Sequence, residues 1–304
     1  MTTRNWFTPG KLMLTGEYLV LNGAWSLSLP TIKGQSLTVE ESAGSGTVNW
    51  KAFNFLGEVW FEGEFKLNNE ILKAESEIKE SQQLLQILQA AHQINPAFLS
   101  QNMDYRVSTH LDFPNDWGLG SSSTLLCNIA KWAEVDAMRL FDASMQGSGY
   151  DVAVGMLETA TLFTRESGHP KWKTCTYHPD FAKELFFVHQ GKKQNSATSI
   201  KSFKTLPKPA GSTIQKISEI TESILNANSL GEFETLLSNH EQIMAQVLNI
   251  RPLKETHFED YKGMVKSLGA WGGDFFIATR SDAMQYFPSK GFTTIIPYLE
   301  MVKA

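Results

Sequence analysis

Cysteine is nearly absent: only Cys127 and Cys175 occur in 304 residues. Two thiols build no disulfide framework, and they read as free thiols in a reducing compartment. Long apolar runs are missing as well. No window approaches the roughly 20 uninterrupted apolar residues of a membrane span, and the opening Met1–Gly10 holds no stretch long enough for a secretory signal. The expectation is a cytoplasmic protein with no membrane partner. Basic residues are not in excess: 27 Lys and Arg face 32 Asp and Glu, a formal net charge of −5. Nucleic-acid binding rests on clustered positive charge, so no nucleic-acid partner is expected, whereas a local basic pocket for an anionic small molecule is compatible with an acidic whole. No Gly-Lys-Ser or Gly-Lys-Thr occurs, which excludes a Walker-type phosphate loop. No fixed-period repeat or low-complexity linker breaks the chain.

What is present suffices for a core. Hydrophobic residues make up 42% and aromatics 11%, against 19% charged, which excludes global disorder. The length fits one large domain or two modest ones. Nothing in the sequence sets an oligomeric state.

Along the chain, residues 11–40 read as strands joined by turns. An apolar run from Lys11 breaks at Gly16-Glu17-Tyr18 and resumes at residues 19–21 before Asn22-Gly23, a hairpin signal. Further strands are expected over residues 36–40, 46–54 and 58–65. Leu84, Leu85, Ile87, Leu88 and Ala91 recur at helical spacing, and Asn95-Pro96 stops that run. Met103–Leu111 alternates as a strand, and one long helix is expected over 124–140. Residues 150–157 and 159–164 look buried or strand-like. Leu185–His189 reads as the strand opening a second domain. Helices follow at 214–225, 233–247 and 261–268, and strands at 275–279 and 292–296. Strands come in runs and helices in runs, so the class is α+β.

Four segments carry chemistry. Trp117-Gly118-Leu119-Gly120-Ser121-Ser122-Ser123-Thr124 stands before a helix, where free N–H groups and the dipole favour an anion such as phosphate, and a hydroxyl can reach a magnesium ion on it. The same residues also fit an ordinary serine N-cap. Gly147-Ser148-Gly149-Tyr150-Asp151 sets one carboxylate at the edge of an apolar run, where it needs a partner or a function; a turn Asp satisfying backbone N–H groups reads equally well. Pro9-Gly10-Lys11 places a lysine at the start of an apolar strand, a position usually taken by a snorkelling surface side chain. Gly269-Ala270-Trp271-Gly272-Gly273-Asp274 is a glycine-rich loop, either a plain hairpin turn or bare backbone that packs against the first phosphate loop.

Taken in order, Pro9-Gly10-Lys11-Leu-Met-Leu-Thr-Gly16-Glu17-Tyr18, Gly118-Leu-Gly-Ser-Ser-Ser123 and Gly269-Ala-Trp-Gly-Gly273 resemble the three motifs of the GHMP kinases, which phosphorylate small metabolites with ATP and magnesium. The resemblance spans nearly the whole chain. Gly147-Ser-Gly-Tyr-Asp-Val-Ala153 is most similar to the phosphomevalonate kinase and mevalonate kinase branch, and Val188-His-Gln-Gly191-Lys-Lys-Gln-Asn-Ser196-Ala-Thr198-Ser199 resembles the substrate-side strand and loop of phosphomevalonate kinases.

This resemblance implies a two-lobed fold. A ribosomal-protein-S5-like N-terminal lobe, residues 1–182, would bind ATP, and a ferredoxin-like C-terminal lobe would span 183–304. It implies nucleotide binding by Gly118, Leu119, Gly120, Ser121, Ser122 and Ser123, with Mg2+ on Ser122 and Asp142. Asp151 would be the catalytic base and Lys11 the cation keeping it ionised. Glu17, Tyr18, Ser148, Gly149 and Ser196 would line the substrate, and Gly269, Gly272 and Gly273 would form the third-motif loop. A phosphorylated substrate would need further cations, for which Lys192, Lys193 and Lys201 are candidates, although a lysine run in a loop is more often a solvated face. Departures are Asp142, where the family has Glu, Ser123 for a common Ala, and Trp271, where a small residue is usual. The partners expected are therefore ATP and a small-molecule acceptor, mevalonate or phosphomevalonate first. The rivals are another acceptor such as a sugar or amino-acid alcohol, or a catalytically silent nucleotide-binding regulator on the same fold, which Trp271 favours.

Overall fold

Period-two alternation and 3.6-residue periodicity divide the chain into layers of sheet and helix. The computed structural model describes residues 2–192, 194 and 196–304, with the side chains of Ser196 and Ala197 outside that description. Two compact units emerge: Met1–Gly10, Lys33–Asn115 and Leu119–Glu158 form the first, and Lys11–Ile32, Asp116–Gly118 and Thr159–Ala304 the second.

Strands β1 (Thr2–Thr15) and β2 (Ser26–Ala43) each contribute to both units. In the first unit, β2 continues into β3 (Thr47–Phe53), β4 (Val59–Asn68), β5 (Ile71–Ala74), α1 (Lys79–Ile94), β6 (Met103–Leu111), α2 (Ser121–Ala133), α3 (Ala137–Ser144) and α4 (Tyr150–Leu157). The strand order is β5-β4-β3-β6-β2. β3 and β6 run parallel, with Trp50 opposite Val107, and the other neighbours are antiparallel. Along β6, Tyr105, Val107, Thr109 and Leu111 are buried in alternation, which fixes its register against β2. On α1, Leu84, Ile87, Leu88 and Ala91 form the buried stripe that packs on the helical layer.

The second unit contains a short 3-10 turn at Leu19–Asn22, the hairpin of β7 (Thr161–Glu166) and β8 (His169–Thr174), then β9 (Leu185–His189), α5 (Ser196–Phe203), α6 (Gly211–Leu225), α7 (Leu230–Leu248), α8 (Leu253–His257), β10 (Val265–Ser267), β11 (Phe275–Thr279), α9 (Ala283–Ser289), β12 (Ile295–Pro297) and α10 (Tyr298–Met301). Its four-stranded sheet has the order β10-β11-β9-β12, antiparallel throughout. With helices between β9 and β10 and between β11 and β12, this is the βαββαβ arrangement of ferredoxin-like domains. The α+β class is therefore correct.

Four local expectations differ from the structure, each for a physical reason. Residues 19–21 are not a strand: Tyr18 at φ 60° and Gly23 at φ 98° bracket a 3-10 turn, closed by Gly23 N donating to Val20 O and Ala24 N to Leu19 O. The long helix over 124–140 is two helices, because Asp136 caps α3 by accepting from Arg139 N at 2.7 Å, after Glu134 has turned left-handed at φ 55°. Residues 150–157 are helix α4, since a run apolar on every side reads alike as buried strand or buried helix. Residues 261–268 are largely extended: Tyr261, Met264 and Val265 are buried by packing next to β11, not by a helical stripe.

Candidate functional site

In the first unit, helix α2 begins without a side-chain cap, and its preceding Gly120 is left-handed at φ 87°. Ser123 turns its hydroxyl back to Gly120 O at 2.8 Å and is buried, Ser121 is half-buried, and Ser122 is exposed. The first-turn N–H groups and the Ser122 hydroxyl thus stand at the positive end of a 13-residue helix. Leu119, fully buried, anchors the loop. The helix is pinned by polar residues that the sequence reading missed. Thr8 donates to Asn128 Oδ1 at 2.8 Å, Asn128 to Gln35 O at 2.8 Å, and Thr124 to Gln35 Oε1 at 2.7 Å, all in the core. The available signal was Thr124 and Asn128, one helical turn apart in an otherwise apolar stretch.

Asp151 lies in the first turn of α4, half-buried, with Oδ1 accepting from Val152 N at 3.1 Å. Two close approaches position that helix. A Cβ on Gly149, at φ 83°, would stand 2.9 Å from Met138 Sδ, and one on Gly155 would stand 2.9 Å from Cys127 Sγ. Ser148 is buried just before the turn, while Asp142 is exposed near the end of α3. Burial, with Asp151 adding to it, pushes the Cys127 thiol far above its usual range, so that cysteine is inert.

In the second unit, Lys11 Nζ donates to Gly118 O at 3.0 Å. Gly118 has φ 67°, and the carboxylate of Asp274 fills the space a side chain there would need. Asp274 Oδ1 accepts from Gln194 N at 3.0 Å, and its own N–H donates to Lys192 O at 2.9 Å. Gln190 Nε2 donates to Gly273 O at 2.7 Å and Gln194 Nε2 to Trp271 O at 3.0 Å, so the third-motif loop is stitched to the loop after β9. A Cβ on Gly273 would press on Gln194 and Lys192 at 3.0–3.1 Å. Gly269 and Gly272 are both left-handed, at φ 60° and 86°. Asp274 closes the fourth segment of the sequence reading, which gave it no role, and neither Gln190 nor Gln194 was given one.

Tyr18 donates to Ala270 O at 2.9 Å and its ring lies 5.1 Å from that of Phe203. Burial pushes its hydroxyl up to about 12. Trp271 does not stand free in the loop: its indole is buried against Leu19, Phe203, Ile217 and Met244. Glu17 is also buried, 1% exposed, with its carboxylate on Lys266 Nζ at 2.5 Å. Lys192 and Lys201 are exposed, while Lys193 and the Ser196 side chain lie outside the described residues.

No group of three or more His, Cys, Asp or Glu among the described residues forms a metal cage. No helix among them is long and apolar enough to cross a membrane. Neither a family model nor a curated protein matches the sequence. Solved structures do. The mevalonate kinase of Methanococcus jannaschii superposes with a TM-score of 0.68 at 14% identity, over 97% of this chain and 98% of that one. The Streptococcus pneumoniae phosphomevalonate kinase, in complex with phosphomevalonate and AMPPNP, gives 0.66 at 15%, over 96% and 95%. The Lactococcus lactis galactokinase, complexed with galactose, gives 0.67 at 15%, over 99% and 93%. The fold is that of the GHMP kinases. At such identities the likeness concerns the GHMP kinase backbone over its full length, and the side chains described above stand on their own geometry.

Proposed function

We propose that the chain is an ATP- and Mg2+-dependent small-molecule kinase, with mevalonate or phosphomevalonate as its acceptor. The observation that carries the reading is the uncapped start of α2, with Ser122 exposed on it, in a chain whose backbone follows GHMP kinases from end to end. Residues 1–182 are assigned as the ATP-binding domain and 183–304 as the domain of the third motif.

Phosphoryl transfer asks chiefly for positioning and for neutralising charge on the transferred group. Gly118, Leu119, Gly120, Ser121 and Ser123 would present backbone N–H groups to the phosphates. The Ser122 hydroxyl and the Asp142 carboxylate are oxygen donors of the kind Mg2+ takes. Asp151 would accept the proton of an alcohol acceptor; towards a phosphate acceptor it would act as an electrostatic organiser. Lys11 supplies the fixed cation of the first motif. Tyr18, Ser148, Gly149 and Ser196 are assigned to the acceptor, whereas Glu17, spent on Lys266, contributes from beneath. Both cysteines are free thiols, which suits a cytoplasmic enzyme.

Burial of Trp271 in an apolar cluster gives its bulk a packing role, which supports the kinase reading over a silent regulator. The reading is tested by coupled ADP release with Mg-ATP against mevalonate, phosphomevalonate, homoserine and galactose. Acceptor-dependent turnover supports it; ATP binding without transfer to any acceptor points to the silent alternative.

A further inference from the structure

Behind the first motif lies a cluster of ionisable side chains that phosphoryl transfer does not call for. Lys266, on β10, is 0% exposed, yet its ammonium donates to Glu17 Oε1 at 2.5 Å and to Ser267 O at 2.8 Å. Two neighbours on α7 brace the pair. His240 Nε2 accepts from Gly16 N at 3.0 Å, and Glu241 Oε1 accepts from Ser267 N at 3.1 Å. An ion pair sealed from water is expensive to bury, and an apolar pair of equal volume would hold the fold as well or better. Its presence in the core points to a geometric task.

The backbone next to it supplies that task. Tyr18 sits at φ 60° and ψ −48°, a strained conformation for a residue with a Cβ, and Leu19 N closes a tight bond on Glu17 O at 2.6 Å. Its hydroxyl donates to Ala270 O, beside Trp271, itself at φ 40°. Strain of this kind persists only where the surroundings over-determine it. Here Glu17, fixed by Lys266, and Gly16, fixed by His240, hold the residues immediately before Tyr18.

We propose that Lys266 is a positioning residue: acting through Glu17, it holds Tyr18 where its hydroxyl fixes Ala270, and so sets the nucleotide affinity of the third-motif loop. The inference rests on the kinase reading, in that residues 269–273 are taken to meet the nucleotide.

The test compares the wild type, the charge-free pair Glu17→Gln/Lys266→Met, and Tyr18→Phe. ATP affinity is read by calorimetry, KM and kcat by ADP release, and folding by a cooperative thermal melt. The expected result is a folded pair variant whose ATP Kd weakens at least tenfold, with a smaller change in kcat, and a Tyr18→Phe variant weakened in the same direction. Unchanged ATP affinity in the folded pair variant overturns the proposal. If that variant does not fold, unchanged affinity in Tyr18→Phe overturns it. A wild type that binds ATP but transfers to no acceptor fails the kinase reading while leaving this comparison intact, because its readout is binding.

Discussion

The carboxylate carbon of Asp274 stands 2.3 Å from the point where a Cβ on Gly118 would be, so the two residues are fitted to each other across 156 positions of sequence. Gly118 also adopts φ 67°, which a side chain resists. Gly118→Ala therefore both strains the backbone and displaces Asp274, with its bond to Gln194. A loss of about 1–3 kcal/mol in stability is expected, read as a lowered melting temperature, together with weakened ATP binding. An unchanged melt would show that the loop relaxes freely.

Asp151→Asn keeps the side-chain oxygen that accepts from Val152 N and removes the base. Turnover of an alcohol acceptor is expected to fall by about 10²–10⁴-fold, with the melting temperature and ATP Kd unchanged. Steady-state kinetics beside calorimetry check this. A variant as fast as the wild type removes Asp151 from the proton path.

Ser122 is exposed at the start of α2, so Ser122→Ala leaves the core untouched. Its effect belongs to the metal and the phosphates: the Mg2+ concentration for half-maximal rate is expected to rise roughly tenfold, the value of one lost polar ligand. A magnesium titration of the rate reads it directly, and an unshifted curve assigns the ion elsewhere.

Burial lifts the Glu241 carboxyl from the ordinary 4.5 to about 7, with Lys266 opposing the shift. The folded protein therefore holds this proton more tightly than the unfolded chain does. The contribution is fully present below pH 4.5 and is lost as pH rises towards 7. His240, held well below 6.5 by burial, has the opposite slope below that pH, and Glu17, also raised by burial, has the same slope as Glu241, so the wild type shows only their sum. Glu241→Gln removes one part of it. Its stability relative to wild type is expected to climb between pH 4.5 and 7, by up to about 3 kcal/mol, and to level off above. Chemical denaturation across that range checks the slope, and a pH-independent difference would contradict it.

Much of the architecture was legible because it is written in local periodicity: the alternation of β6, the stripe of α1, the run of β9. The misreadings share a cause. Asp136 as a cap inside an apparent helix, and Tyr18 at positive φ in a tight three-residue turn, are decided by single residues whose bonds do not show in a hydrophobic pattern. The motif glycines were visible, and the structure gives two of them a reason in Asp274 and Met138. The partners were not. Asp274, Gln190 and Lys266 acquire their meaning from residues far away in sequence, Lys266 from one 249 positions distant, and no spacing rule reports such contacts.

The measurement closest to the central claim is ADP release from Mg-ATP in the presence and absence of each acceptor, with wild type and Asp151→Asn side by side. Acceptor-dependent release is expected, with mevalonate or phosphomevalonate the best acceptor, reduced at least a hundredfold for an alcohol acceptor by the substitution. A wild type that neither binds ATP nor releases ADP with any acceptor would contradict it.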